Sequence, residues 1–598
     1  MNQTRRSLTF TLMQFLVVST LFLQTKNLAL GQLPSSNRLT NWKDAGYQNA
    51  GKLRKSYQII DFVAAGGIAD GITPNDSFFK QIYAAVNHDS CLIYFPKGSF
   101  YFEKSFNLLK PIVLKGHSSD STKLIFRQSA TIDLIFAVGS KLLPNVQINE
   151  NITQGSDSIV VASTATFRIG DDVEITENDS SLAGSSWSFR KTGQINQIKF
   201  IAGNTIFLIM PMRRSFNAMK DLRINKLRMK KEIGLENFKI IRLDSTAGQT
   251  TNIDFTYTKN CWIKCIESEN CNFSHVSLTG CSNIEVTGSY FHHSFGYGPG
   301  GRAYGIAVQY ASGQCKVERN IFKHLRHSML LQAGANGNVI AYNYSSDPFW
   351  TQAPYPSDFA GDIVLHGNYP YANLIEGNTV FTIVIDNSHG INGPFNTIFR
   401  NRMEGYGLLM SSIQASDNQN IIANEISDTA VNYGFYVLAG AGHFVYGNNV
   451  KGNILPQAIN VLPPASLYLD TVPNYYATAW PPIGIPNSLS AQKIEAENRM
   501  QNRLYTFCAD NQATALNDKI QKETNIIIFP NPTNEMLNIP FQGRKTIVIH
   551  DNKGTCIQII ETEERFVSMK MLISGLYHIR ILDQKMKLIC QERILKTN

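Results

Sequence analysis

The chain has 598 residues, 43% of them hydrophobic, and 55 basic against 46 acidic side chains give it a formal charge of +9. Arg5, Arg6 and Lys26 fall in the first 31 residues, and residues 522–598 carry 11 basic and 8 acidic side chains, so only about +3 is spread over the body between them. That field is too weak to argue for nucleic acid or anionic lipid, and no later segment has the 18 consecutive apolar residues of a transmembrane helix.

Residues 1–31 read as a secretory signal peptide: Arg5 and Arg6 precede an apolar stretch from about Leu8 to Leu23, and Ala29-Leu30-Gly31 offers small residues for cleavage. The mature protein is therefore expected to be exported. Next comes DFVAAGGIADGITPNDSFFKQIYAAV, from Asp61, followed by LIYFPKGSFYF over Leu92–Phe102. Asp70-Gly71 predicts a tight turn, and a short amphipathic helix from about Ser77 would plug the end of a coil. This opening resembles that of the pectate-lyase-like superfamily, with Asp70, Gly71, Thr73 and Asn75–Ser77 in its turn motif and Phe95–Tyr101 in its Phe-Pro-x-Gly strand. Asn75 stands in a slot often held by Asp. The resemblance runs from about Asp61 to Gly484 and implies an all-β fold, a right-handed parallel β-helix. The acids of the opening motif are read as structural.

From about residue 145 to 216, apolar and polar residues alternate between Gly turns, the pattern of an antiparallel β excursion with one wetted face. Asp171 and Asp172 follow Gly170 in what reads as a solvated turn, and Trp187 with Arg213 and Arg214 could border a sugar groove. Cys261, Cys265, Cys271, Cys281 and Cys315 match no zinc spacing, leaving one or two disulfides or buried thiols as open alternatives.

From Glu318 to Asn449 one short pattern returns. Asn320, Asn343, Asn378, Asn401 and Asn424 mark it with steps of 23, 35, 23 and 23 residues, the long step being one period plus an insertion around Ser346–Ser357. Short runs of Val, Ile, Tyr and Phe between Asn and Gly, without a 3.6 period, predict parallel strands stacked into a solenoid. The recurring Asn fits a turn, bonding backbone groups and tolerating a left-handed conformation. A Pro-rich, aromatic tail over about 454–487 is expected to wrap the outside, completing a coil domain of 32–515.

Residues 522–598 differ in character, with strands enough for a small β-sandwich. Pro530–Asn534, Asp551–Gly554 and Ser574–Tyr577 resemble, in order, the motifs of the type IX secretion system sorting domain. That resemblance implies the type IX secretion machinery as a partner and a secreted or cell-surface protein.

Ionisable residues crowd between His292 and Arg402. His366-Gly367 and His389-Gly390 are 23 apart, which would stack two imidazoles about 5 Å apart on one wall. Asp362 and Asp386, 24 apart, would face opposite ways, which argues against the two facing acids of a glycosidase. Counting back 35 sets His327 over Asp362, and Arg400 has room to reach outward over Gly377. A line of His and Arg suits β-elimination on a uronate-containing polysaccharide, where a cation neutralises the carboxylate and a base removes its α-proton. The expected roles are Arg326 and Arg402 for the carboxylate and His327, His366 or His389 as base or acid. Tyr304, Trp350, Tyr355, Asp362 and Arg400 are expected to contact an extracellular polysaccharide, with the loop Gly296–Gly305 bordering the groove. A glycoside hydrolase and a non-catalytic glycan-binding adhesin are the alternatives. Lyases of the superfamily often use calcium; no acidic cluster in one register is visible, so no metal ligand is assigned and calcium stays open as a cofactor.

Overall fold

The computed structural model describes residues 33–48, 58–86, 91–128, 130–353, 360–457, 461–476, 479–507 and 531–597, apart from 540, 542 and 585–587. The expected leader, Tyr355 and Pro530 lie outside the described residues.

The chain coils into a right-handed parallel β-helix with three walls. The first is a 13-stranded sheet in which each strand pairs in parallel with the one a rung away, from Gln58–Asp61 to Phe444–Tyr446. The other two walls merge into a 21-stranded sheet, because the long strands Thr379–Ile385 and Arg402–Met410 turn the corner between them. Ile, Leu, Val and Phe from all three walls fill the interior as one continuous core. At its N-terminal end the helix Asp76–Ala85 inserts Phe79 and Ile82, and Phe79 stacks on Phe106 at 3.7 Å between ring centroids. Covering that end hides apolar side chains worth about 1.5–3 kcal/mol each. Asp70 accepts the backbone N–H of Ile72 and Thr73, as a turn residue should.

The recurring Asn residues are not themselves the left-handed positions. Each follows one: Arg319, Tyr342, Gly377, Arg400 and Ala423 have φ between 51° and 67°. That twist turns the Asn side chain into the coil, where it is fully buried. Asn320, Asn343, Asn378, Asn401, Asn424 and Asn448 form an unbroken ladder, each Oδ1 accepting both the backbone N–H and the Nδ2 of the Asn one rung before, at 2.9–3.1 Å. A second ladder joins Asn338, Asn373, Asn396 and Gln419 at the next corner. A buried amide without its partners would cost about 1–3 kcal/mol, so the ladders fix the register as well as the turn.

Residues 461–507 run back along one side as a belt. Arg400 donates to the carbonyls of Pro463, Pro464, Ile483 and Ile485; Glu318 accepts from the hydroxyls of Tyr468 and Tyr475; Arg319 pairs with Glu495. Cys265 is disulfide-bonded, whereas Cys261, Cys271, Cys281 and Cys315 are buried free thiols.

The excursion is a seven-stranded antiparallel sheet whose strands lie between Ser140 and Arg228, wider than the sequence suggests. It has its own core around Ile148, Val173, Ile206 and Ile224. Asp172 is not a solvated turn residue: it is 4% exposed and bridges Lys231 (2.5 Å) and Lys259 (2.7 Å). The sheet is anchored to a corner of the coil by buried bonds, Arg213 to Asn336 Oδ1 (2.7 Å), and Asn336 Nδ2 (3.1 Å) and Tyr371 Oη (3.0 Å) to Gly193 O. The C-terminal unit stacks a four-stranded antiparallel sheet and a two-stranded one over Leu537, Ile547, Ile549, Ile579 and Ile594.

Candidate active site

The third wall carries the imidazoles. Its rungs do not keep the 23-residue step of the first: Met329 pairs with Ile363, a step of 34, and Leu365 with Ile385, a step of 20. The bend at Val380–Thr382, where the register shifts, absorbs the difference. Two expected juxtapositions change in consequence. His327 lies opposite Gly361, to whose carbonyl its Nδ1 bonds at 2.9 Å, and Asp362 falls beside Ser328 instead. One residue beyond the pair Leu365–Ile385, His366 meets Asp386, Nδ1 to Oδ2 at 2.6 Å.

His389 comes three residues later, at the corner, and its ring still reaches His366: the centroids are 5.0 Å apart and the planes nearly perpendicular. His327 lies 5.6 Å from His366 on the other side, and Tyr304 lies 5.2 Å from His327. Burial pushes His327 down to about 3, helped by the neighbouring charges of His366 and Arg326, so it is neutral at ordinary pH. Burial and His366 also hold His389 below the usual imidazole value. Burial alone would raise Asp386, but its hydrogen bond and attraction to His366 prevail and keep it ionised. A carboxylate on Nδ1 fixes the ring and leaves Nε2 as the free nitrogen of His366.

Arg326 flanks this row. Its guanidinium lies 4.7 Å over the Trp350 ring and 5.9 Å from that of Tyr304, and donates to Gly298 O at 3.1 Å. Its Nε and the Trp350 Nε1 are buried donors without a hydrogen-bond partner among the described residues, where Arg326 also makes no ion pair. The Gly296–Gly305 loop thus borders the row through Gly298 and Tyr304.

Three expected site residues are placed elsewhere. Asp362 is 1% exposed in the corner behind the wall, accepting from Ser345 Oγ (2.6 Å) and the Thr382 N–H (2.8 Å); burial pushes it up to about 6, and it faces no groove. Arg402 begins the second wall, is 3% exposed, and is held by Glu425 at 2.9 Å and by the Gln492 carbonyl of the belt. Arg400 is spent on four belt carbonyls. Neither arginine reaches the imidazoles.

The sequence reading missed two contributions. One is Asp386 as the partner of His366. The other is the excursion loop at Gly184–Trp187: Ser185 Oγ bonds His389 Nδ1 at 2.9 Å, the Ser185 N–H bonds Asn368 Oδ1 at 3.0 Å, and Trp187 packs edge-on to His389 at 5.3 Å. Gly184 permits this approach, since a Cβ there would lie 2.3 Å from His389 O. The sequence pointed to Trp187 as a residue bordering a groove, but not to Ser185 or to the reach of this loop to His389.

On the second wall, Glu267, Glu269 and His292 bring three ligand-type atoms within 4.8 Å of one another. The set does not fit calcium: Lys239 Nζ lies 2.7 Å from Glu267 and 2.6 Å from Glu269, where the cation would sit, and an imidazole is not a calcium ligand.

No curated protein is similar enough in sequence to be matched to the chain. Solved structures share the coil at low identity. The Pseudomonas phage phi297 tailspike gp61 is 11% identical over 64% of this chain and 73% of its own, with a TM-score of 0.44. The Azotobacter vinelandii mannuronan C-5 epimerase AlgE6 A-module is 10% identical over 65% and 99%, TM-score 0.31. PfbA, a surface adhesin of Streptococcus pneumoniae, is 11% identical over 65% and 85%, TM-score 0.33. Likeness at this level concerns the fold alone. Residues 527–596 match the family model of the secretion system C-terminal sorting domain. The parallel β-helix built by the sheet pairing is thus followed by a C-terminal type IX sorting tail, and the chain is exported to the cell surface or beyond.

Proposed function

We propose that this is a glycan-acting enzyme, a lyase that cleaves a uronate-containing polysaccharide by β-elimination on the third wall. The observation that carries the reading is the row of His327, His366 and His389, spaced 5.6 and 5.0 Å, beside Arg326, a cation with no carboxylate partner among the described residues. Arg326 binds the uronate carboxylate and withdraws charge from it, which makes the α-proton removable. His366 takes that proton on Nε2; the C–H electron pair becomes the new double bond and the glycosidic C–O bond breaks. The imidazolium, stabilised by Asp386, returns the proton to the leaving oxygen. His327 and His389, both neutral, line the path of the reacting bond, and Tyr304 and Trp350 give apolar faces to the sugar. With Asp362 buried in the corner, Asp386 is the one member of the pair Asp362 and Asp386 left on the row, where a hydrolase would need two acids among the residues described there.

Incubation of the mature protein with pectin, alginate and glycosaminoglycans tests this. Unsaturated ends absorbing in the ultraviolet are expected. Reducing ends without that absorbance would indicate a hydrolase, and binding with neither product an adhesin. His366→Ala should lower turnover by about 10²–10⁴-fold in a chain that still folds into the coil by circular dichroism; retained turnover removes His366 from the site.

A further inference from the structure

The lysines around the excursion are nearly all accounted for. Lys141 pairs with Glu174, Lys226 with Asp171 (2.7 Å), and Lys231 and Lys259 share Asp172. Lys220 donates to Ser181 Oγ and Lys230 to Leu109 O, and Lys199 is exposed. Lys191 is the partly buried one with neither an ion pair nor such a bond among the described residues. Burial lowers its proton affinity. Instead it sits 5.2 Å over the Tyr310 ring. Tyr310 in turn lies 5.9 Å from Trp187, whose indole is 42% exposed and 5.3 Å from His389. Arg326 on Trp350 and Lys191 on Tyr310 therefore stand at the two ends of one track of rings, each a cation on an aromatic face and neither in a direct ion pair among the described residues, although Glu174 and Asp179 act on Lys191 from further off. The backbone behind Lys191 is rigidly seated, since a Cβ on Gly334 of the coil would lie 2.2 Å from Lys191 O.

We infer that Lys191, Tyr310 and Trp187 form a second acidic-sugar subsite, supplied jointly by the excursion and the coil. It rests on the reading that the third wall receives an acidic polysaccharide. Trp187 and Tyr310 offer flat faces to sugar rings, and Lys191 takes the carboxylate or sulfate of a unit beyond the one held at Arg326. A partly buried ammonium without a directly paired counter-ion gains from an anion delivered by the ligand, and the aromatic partner holds it in place meanwhile. The substrate is accordingly a polymer with acid groups on more than one unit.

The test uses the mature chain carrying His366→Gln, so that binding is read without turnover, in affinity electrophoresis through polygalacturonate, alginate or chondroitin sulfate, with dextran as the neutral control. Adding Lys191→Met should weaken retention by the acidic polymer roughly tenfold, the loss of one charge-assisted contact. Lys191→Arg should restore it, dextran should not retain any variant, and the melting temperature should not change. Unchanged retention of the Lys191→Met variant, or no retention by any acidic polymer, overturns the subsite. Lys191-dependent retention without unsaturated product from the parent chain would remove the lyase reading and leave the subsite standing.

Discussion

Two regions of the coil use their charged side chains oppositely. On the belt side, Arg402 is matched by Glu425, Arg319 by Glu495, Glu318 by two tyrosine hydroxyls, and Arg400 by four carbonyls. On the third wall Arg326, and beside it Lys191 of the excursion, lean on aromatic rings and the imidazoles lean on one another, with Asp386 bonded to His366. Matched charges hold the belt down. Unmatched ones are open to a ligand, and what separates the two uses is whether the belt or the next rung supplies a partner, rather than the residue type.

That contrast can be broken in graded steps. Arg402→Ala leaves Glu425 buried and uncompensated, and should cost about 3–5 kcal/mol of stability, read as a fall in the thermal or denaturant midpoint; a midpoint within error of the parent would mean that the pair is not structural. Asp386→Asn acts on the other wall. It should lower turnover by about a hundredfold at little cost in stability. Turnover within error of the parent contradicts the orienting role of the carboxylate on His366 Nδ1.

His327 gives a destabilising effect that is absent at neutral pH and has a definite sign in acid. Its value of about 3 in the fold, against an ordinary 6.5, means that the folded chain binds fewer protons than the unfolded one between those pH values. Its contribution is present above about pH 6.5 and is lost as the pH falls towards 3, at up to about 1.4 kcal/mol per pH unit. His327→Gln should therefore flatten the acid side of the stability profile, and an unchanged slope would count against it. Least affected should be Lys43→Ala. Lys43 and Asp470 also pair, at 2.5 Å, but their side chains are 54% and 74% exposed, and the loss should stay below about 0.5 kcal/mol. A larger loss would show that pairing matters on this side irrespective of burial.

Much of this was legible in the sequence, and its limits are physical. The 23-residue step between Asn378, Asn401 and Asn424 announced the coil because a first-wall rung is that long, and it brought His366 near His389. It failed for His327 over Asp362, since the bend at Val380–Thr382 and the insertion give the third wall steps of 20 and 34. Arg402 and Glu425 are also 23 apart, in register on adjacent strands, so their pairing was readable and was overlooked. The carbonyls that occupy Arg400, and the approach of Ser185 and Trp187 to His389, join segments tens to hundreds of residues apart. No local period encodes such contacts.

The two interior amide rows give the coil a unit of exchange. Within these rows each inner carboxamide acts as plug on one side and socket on the other, so the turns from Asn320 to Asn448 are mated to their neighbours by matching fittings. An edit that adds or removes one whole turn keeps all fittings matched. An edit of any other length leaves a row of sockets facing nothing, and so lengthening this scaffold is a matter of whole turns.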